Sequence, residues 1–143
     1  MFQVPVKTQY AIRALVHLAR SKGGESASKI AEAEMISPKY LEGILGQLKL
    51  AGIVISDRGR SGGYHLSREA SEIKMIDIVR ATEGEVRPVE CVDDRKICSM
   101  GAICMPRKFW LGLKDTVDAY LSSVTLGDLS EDSFIALGEI EGE

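Results

Sequence analysis

Tyr10, Ala11, Ala14, Leu15, Leu18 and Ala19 recur at the spacing of one helical stripe, which predicts a first helix from about residue 7 to residue 21. Gly23-Gly24 breaks it. Ser26 is an N-cap residue type, and the apolar positions Ala27, Ile30, Ala31 and Ala33 behind it predict a short second helix. The segment EMIS reads as a turn. Ser37-Pro38 then opens a third helix, with serine as cap and proline at the first helical position, where its missing N–H costs nothing. Leu41, Ile44, Leu45 and Leu48 face inward, and the helix ends near Ala51-Gly52.

The pattern then changes. Ile53-Val54-Ile55 favours a strand, RGRSGG a glycine-rich turn, and Tyr64-His65-Leu66 the returning strand. Ile73, Ile76, Ile78 and Val79 support a further short helix that stops near Glu83-Gly84. Pro106 starts a long helix to about Val124, with Phe109, Trp110, Leu113, Val117, Tyr120 and Leu121 along it. The rest of so short a chain does not cover that much apolar surface, so a second copy is expected against these six residues. The fold class is mainly α with a small β-hairpin wing. A winged helix-turn-helix domain occupies 1–84, a cysteine loop 85–105, and a dimerisation helix with its tail 106–143.

Composition narrows the function. The 143 residues, 45% of them hydrophobic, suffice for a packed core. MFQVPVKTQ has no basic segment followed by an apolar run, and no stretch is apolar enough to span a bilayer, so a cytoplasmic protein without a membrane partner is expected. Net charge is −3, but residues 1–68 carry ten Lys/Arg against five Asp/Glu, while residues 69–143 carry eight against sixteen. An anionic partner would therefore dock on the front half. No phosphate-binding glycine loop opens a helix and no histidine lies near a nucleophile, so neither an enzyme nor a small-molecule substrate is expected.

In a helix-turn-helix the second helix of the pair enters the major groove of double-stranded DNA, N-terminal residues foremost. Here these are Ser37, Pro38, Lys39, Tyr40 and Glu42. Hydroxyls reach bases or phosphates, and Glu42 can accept from a cytosine amine and so discriminate between sequences. Taken singly, Tyr40 reads as a packed aromatic and Lys39 and Glu42 as a solvated face; their grouping favours DNA. Arg58 and Arg60 in the wing suit a narrow minor groove, Gly62 and Gly63 allow close approach to phosphates, and Lys29 suits a phosphate contact.

All three cysteines, Cys91, Cys98 and Cys104, fall within CVDDRKICSMGAIC. A reducing compartment makes such a cluster metal-binding or redox-active rather than structural. Thiolates are natural ligands of iron–sulfur clusters, whereas structural zinc sites usually show CxxC pairs, absent here. Ile97, Met100, Ile103 and Met105 could shield a cluster, and Arg95, Lys96 and Arg107 would favour the thiolate form for a cluster and a thiol sensor alike.

YAIRALVHLA, the segment from IAEAEMISPKYLEGILGQLKLAGIVI to SDRGRSGGYHLS, MIDIVRATEG and the cysteine loop follow one another in an order that resembles the IscR/NsrR/CymR family of bacterial winged-helix regulators, over residues 1 to about 130. The resemblance implies a homodimer crossed by the long helix and an iron–sulfur cluster on the three cysteines that controls operator binding, with 2Fe–2S favoured over 4Fe–4S. Two positions depart from the pattern. Where one branch supplies a histidine as fourth ligand this chain has Arg107, and where another supplies an acid on the first helix it has Gln9. Glu90, Asp93, Asp94, Gln9, a group from a partner subunit or an exogenous ligand are the remaining candidates. His17 and His65, the only histidines, are placed on the first helix and the wing, away from this role. The expected function is a dimeric regulator sensing iron–sulfur status, oxygen or nitric oxide. The alternatives are a cluster-free thiol- or metal-responsive winged-helix repressor, and a winged-helix protein-interaction module.

Overall fold

A computed structural model of the chain describes residues 3–57, 63–89 and 105–131. Helix α1 spans Val6–Arg20, α2 Ala27–Glu34 and α3 Pro38–Leu50; strands β1 (Val54–Ser56) and β2 (Tyr64–Leu66) follow. A 3-10 turn at Ala70–Glu72 leads into α4 (Met75–Glu83), and α5 (Met105–Ser123) and α6 (Leu126–Ser130) complete the described chain.

The predicted caps hold their helices. Ser26 accepts from the backbone N–H of Lys29, and Ser37 from that of Tyr40 with Pro38 just inside the helix. Helix α2 ends on Met35, which adopts the left-handed conformation at φ 56°, where the next turn must reverse the chain. The inward stripes meet as the spacing requires: Ala11, Ala14 and Leu15 of α1 pack with Ile30 of α2, Leu41, Ile44, Leu45 and Leu48 of α3, and Ile78 of α4 in one core. The two alanines on α1 keep its buried face shallow enough for its neighbours to approach closely.

The hairpin is antiparallel, pairing Val54 with Leu66, Ile55 with His65 and Ser56 with Tyr64. Its second strand is tied to the α1–α2 connection by a two-way backbone pair, Glu25 N–H to the Tyr64 carbonyl at 2.9 Å and Tyr64 N–H to the Glu25 carbonyl at 2.8 Å. Helix α6 returns to the core. Thr125 and Asp128 cap it reciprocally, and Leu126 is fully buried against α1 and the 3-10 turn.

Helix α5 is different: no residue along its 19 positions is buried. Leu121 touches the core edge, while Phe109 and Tyr120 are exposed by 66% and 42%. Among the described residues no helix is long and apolar enough to cross a membrane.

Candidate nucleic-acid interface and sensor region

The turn between α2 and α3 swings the start of α3 away from the core. Ser37, Pro38, Lys39, Tyr40 and Glu42 are all exposed there, so the five residues named from the sequence share one surface. Tyr40 is anchored at its ring. It stacks edge-on against Tyr10 of α1 with centroids 5.8 Å apart, and the Arg13 guanidinium lies 5.5 Å from the Tyr10 ring. Arg13 also bonds the Glu34 carboxylate at 3.3 Å and the Glu34 backbone carbonyl, which fixes the end of α2 against α1. Lys29 is largely exposed, with Glu25 at 3.7 Å.

Of the wing residues, Gly63 is described and Arg58, Arg60 and Gly62 lie outside the described residues. Below the tip, Asp57 donates its N–H to the Gly63 carbonyl and its carboxylate lies 3.3 Å from His65. A β-carbon added at Gly63 would come within 3.1 Å of the Glu25 carbonyl, and one at Gly24 within 2.8 Å of the Tyr64 carbonyl. The wing is therefore seated on the α1–α2 connection through bare backbone at both contacts.

Cys91, Cys98 and Cys104 lie outside the described residues, as do Glu90, Asp93 and Asp94. The flanks of that stretch are described and carry a charge cluster that pattern reasoning missed. Arg80 on α4 meets Glu85 at 2.8 Å, and Lys114 on α5 reaches both Glu85 at 3.6 Å and Asp118 at 2.7 Å. The chain going into the cysteine stretch is thus pinned to the helix that leaves it. A mainly apolar cavity of about 420 Å³ lies alongside, lined in part by Pro5, Val79, Val86, Pro88, Val117 and Leu121. The one signal in the sequence that could have pointed to the charge cluster is the i,i+4 spacing of Lys114 and Asp118.

Among the described residues no group of three His, Cys, Asp or Glu side chains is placed to hold a metal ion. His17 faces Glu34 at 3.4 Å and Glu25 at 3.9 Å, and Gln9 donates to the Val4 carbonyl at 2.7 Å. Arg107, where one branch of the family resembled above places a histidine, has no atom able to ligate a metal. Three thiols are in kind the ligands that an iron–sulfur cluster takes.

A tri-helical core, a capped helix-turn-helix pair and a backbone-seated hairpin define a winged helix-turn-helix protein. The Rrf2 family, described as "Iron-dependent Transcriptional regulator", matches residues 4–132. The chain belongs to this family of transcriptional regulators. It is similar to the transcriptional regulator IscR of Vibrio atlanticus, 33% identical over 89% of this chain and 74% of that protein. It is also similar to CymR of Bacillus subtilis, 34% identical over 90% of this chain and 89% of that protein. Among solved structures, CymR of B. subtilis, titled the global cysteine regulator, superposes with a TM-score of 0.75 at 34% identity, covering 91% of this chain and 97% of that one. IscR of T. potens superposes at 0.73 and 31% identity, covering 97% and 96%. The relatives are regulators, which agrees with the expectation that the chain is not an enzyme.

Proposed function

We propose that the protein is a homodimeric, operator-binding transcriptional regulator that reads DNA with α3 and the wing, and takes its signal at Cys91, Cys98 and Cys104. The observation that carries the DNA half is the shared exposed surface from Ser37 to Glu42, on a helix whose opposite face is locked into the core. A major groove accepts such a helix, and the wing seated through Glu25 and Tyr64 extends the same platform toward the backbone. Lys29, Arg58 and Arg60 would carry the phosphate contacts, with Gly62 and Gly63 permitting close approach. Glu42 would select a cytosine amine, because an unpaired acid against DNA is repelled. Exchanging Arg60 for alanine is expected to weaken binding and reduce the salt slope by about one phosphate. Binding that keeps both its strength and its slope would favour a protein-interaction module.

For the signal, the three thiolates would hold an iron–sulfur cluster, 2Fe–2S ahead of 4Fe–4S. Bound there, the cluster supplies a redox- and ligand-sensitive centre. The family description and the likeness to IscR support this reading. The chain's own part is mechanical: Glu85, just ahead of the cysteine stretch, is held by Arg80 of α4 and by Lys114 midway along α5, so a change in that stretch would be felt by both helices. Anaerobically purified protein should be brown, with bound iron and sulfide; replacing all three cysteines with serine should bleach it.

A second reading, a cluster-free thiol switch, draws on a specific observation. Arg107 stands where the IscR-like branch places a ligand, and CymR, titled a cysteine regulator, is an equally close structural match. Protein that stays colourless and iron-free after anaerobic reconstitution, while oxidation of its thiols alters operator affinity, would decide for the switch. The cytoplasm, where thiols stay reduced until challenged, suits both readings.

A further inference from the structure

The outward ridge of α3 is bare where a recognition helix would be expected to carry its readers. Lys39, Gly43, Gly46 and Leu50 recur at spacings of four, three and four, which on a helix places them in one row. That row lies opposite the buried positions Leu41, Ile44, Leu45 and Leu48. Its two middle members are glycines.

Nothing inside the protomer asks for glycine at either site. Neither has a positive φ, and a β-carbon built at Gly43 or Gly46 meets no atom within 4 Å outside its own helix turn. Gly24, Gly63 and Gly127, by contrast, are each pressed against backbone, and substitution there would force a shift. In a helix interior glycine is the poorest residue after proline, so α3 gives up helical stability twice without any gain within the fold. The space that these absent side chains leave open is directed outward, toward whatever α3 binds.

We infer that Gly43 and Gly46 set how deeply α3 sits in the major groove and thereby determine which operators the protein accepts, an inference that rests on the DNA-binding reading. A helix with its side chains measures about 10–12 Å across and the B-DNA major groove is about 12 Å wide, so an ordinary recognition helix nearly fills it. Bare backbone along the central ridge lets the helix axis move toward the groove floor by roughly the reach of a short side chain. Base edges beneath Gly43 and Gly46 then meet main chain, which selects by steric fit. Side-chain readout shifts to the flanks, where Tyr40 and Gln47 stand on one side of the row and Glu42 on the other. The arrangement also gives Glu42, with its short reach, access to a base edge that a helix held further out would deny it.

The test uses the full-length protein with Gly43→Ala, Gly46→Ala and the double substitution. An operator is first selected from random duplexes with the wild type. Melting temperature is then measured, with affinity for the selected operator and for a mixed-sequence duplex at one salt concentration. The double variant is expected to melt several degrees higher, to lose about tenfold in operator affinity, and to bind the mixed duplex as before. Operator affinity held at the wild-type level overturns the inference, as does an equal loss on both duplexes. A wild type that enriches no sequence would take down the DNA-binding reading itself, and this inference with it.

Discussion

Thr8 and Thr82 are the two buried polar side chains among the described residues, at 1% and 5% exposure, and their hydroxyls lie 2.8 Å apart. Thr82 also donates back toward the Ile78 carbonyl, and Thr8 reaches the Glu83 carboxylate at 3.3 Å. The pair pins the start of α1 to the end of α4 at the edge of the core. Removing one hydroxyl loses the shortest of these bonds and leaves the other hydroxyl only longer ones in a dry site, whereas removing both leaves nothing unsatisfied. Thr82→Val is expected to cost about 1–2 kcal/mol in urea denaturation. The double variant with Thr8→Val should cost clearly less than the two singles added together; simple additivity would show that the hydroxyls act independently. Nothing in the local pattern marks this pair, because a lone threonine in a helical stripe looks the same whether its partner is water or another helix.

At the scale of elements, the backbone pair between Glu25 and Tyr64 straps the hairpin to the start of the helix-turn-helix. Gly23 and Gly24 both have positive φ, at 97° and 91°, but they differ in surroundings. An added β-carbon meets nothing at Gly23, and lies 2.8 Å from the Tyr64 carbonyl at Gly24. Gly23→Ala should therefore cost about 1–2 kcal/mol from conformation alone. Gly24→Ala carries that cost together with the displaced strap, and should raise amide exchange at Glu25 and Tyr64 while leaving α3 protected. Equal destabilisation by the two substitutions would mean that the strap contributes nothing. Caps and periodicity placed α1, α2, α3 and α4 because both signals act within a few residues along the chain. Helix α6 escaped, being too short to show a period, although its Thr125 and Asp128 spell a capping box that a motif search would have found.

For the whole molecule, the unpaired face of α5 is the main unfinished business of the protomer. Phe109 and Trp110 stack edge-to-face at 5.0 Å on a helix with no buried residue, where a lone protomer would gain from polar groups. The proposed homodimer covers that face. Phe109→Glu is expected to convert a dimer at micromolar concentration into a monomer by analytical ultracentrifugation, with helical content retained because α5 contributes little to the protomer core. A wild type that sediments as a monomer would refute the dimer. Helix α6 bears on the same architecture: with Leu126 in the core beside α1, α5 is moored to the winged domain at its C-terminal end and to Glu85 at its midpoint, Lys114.

The sequence alone determined the order of helices α1 to α5 and the hairpin, the inward stripes of α1 to α4 and the outward grouping from Ser37 to Glu42. These follow from side-chain period and capping chemistry, which operate over one or two turns. Tertiary structure decided the rest: that Thr8 finds Thr82, that Glu25 seats the wing, that Glu85 joins Lys114, and that the space around Gly43 and Gly46 stays open. Each depends on segments distant in sequence meeting, or failing to meet, once the core has closed, and no local pattern encodes which side chain a distant helix will bring.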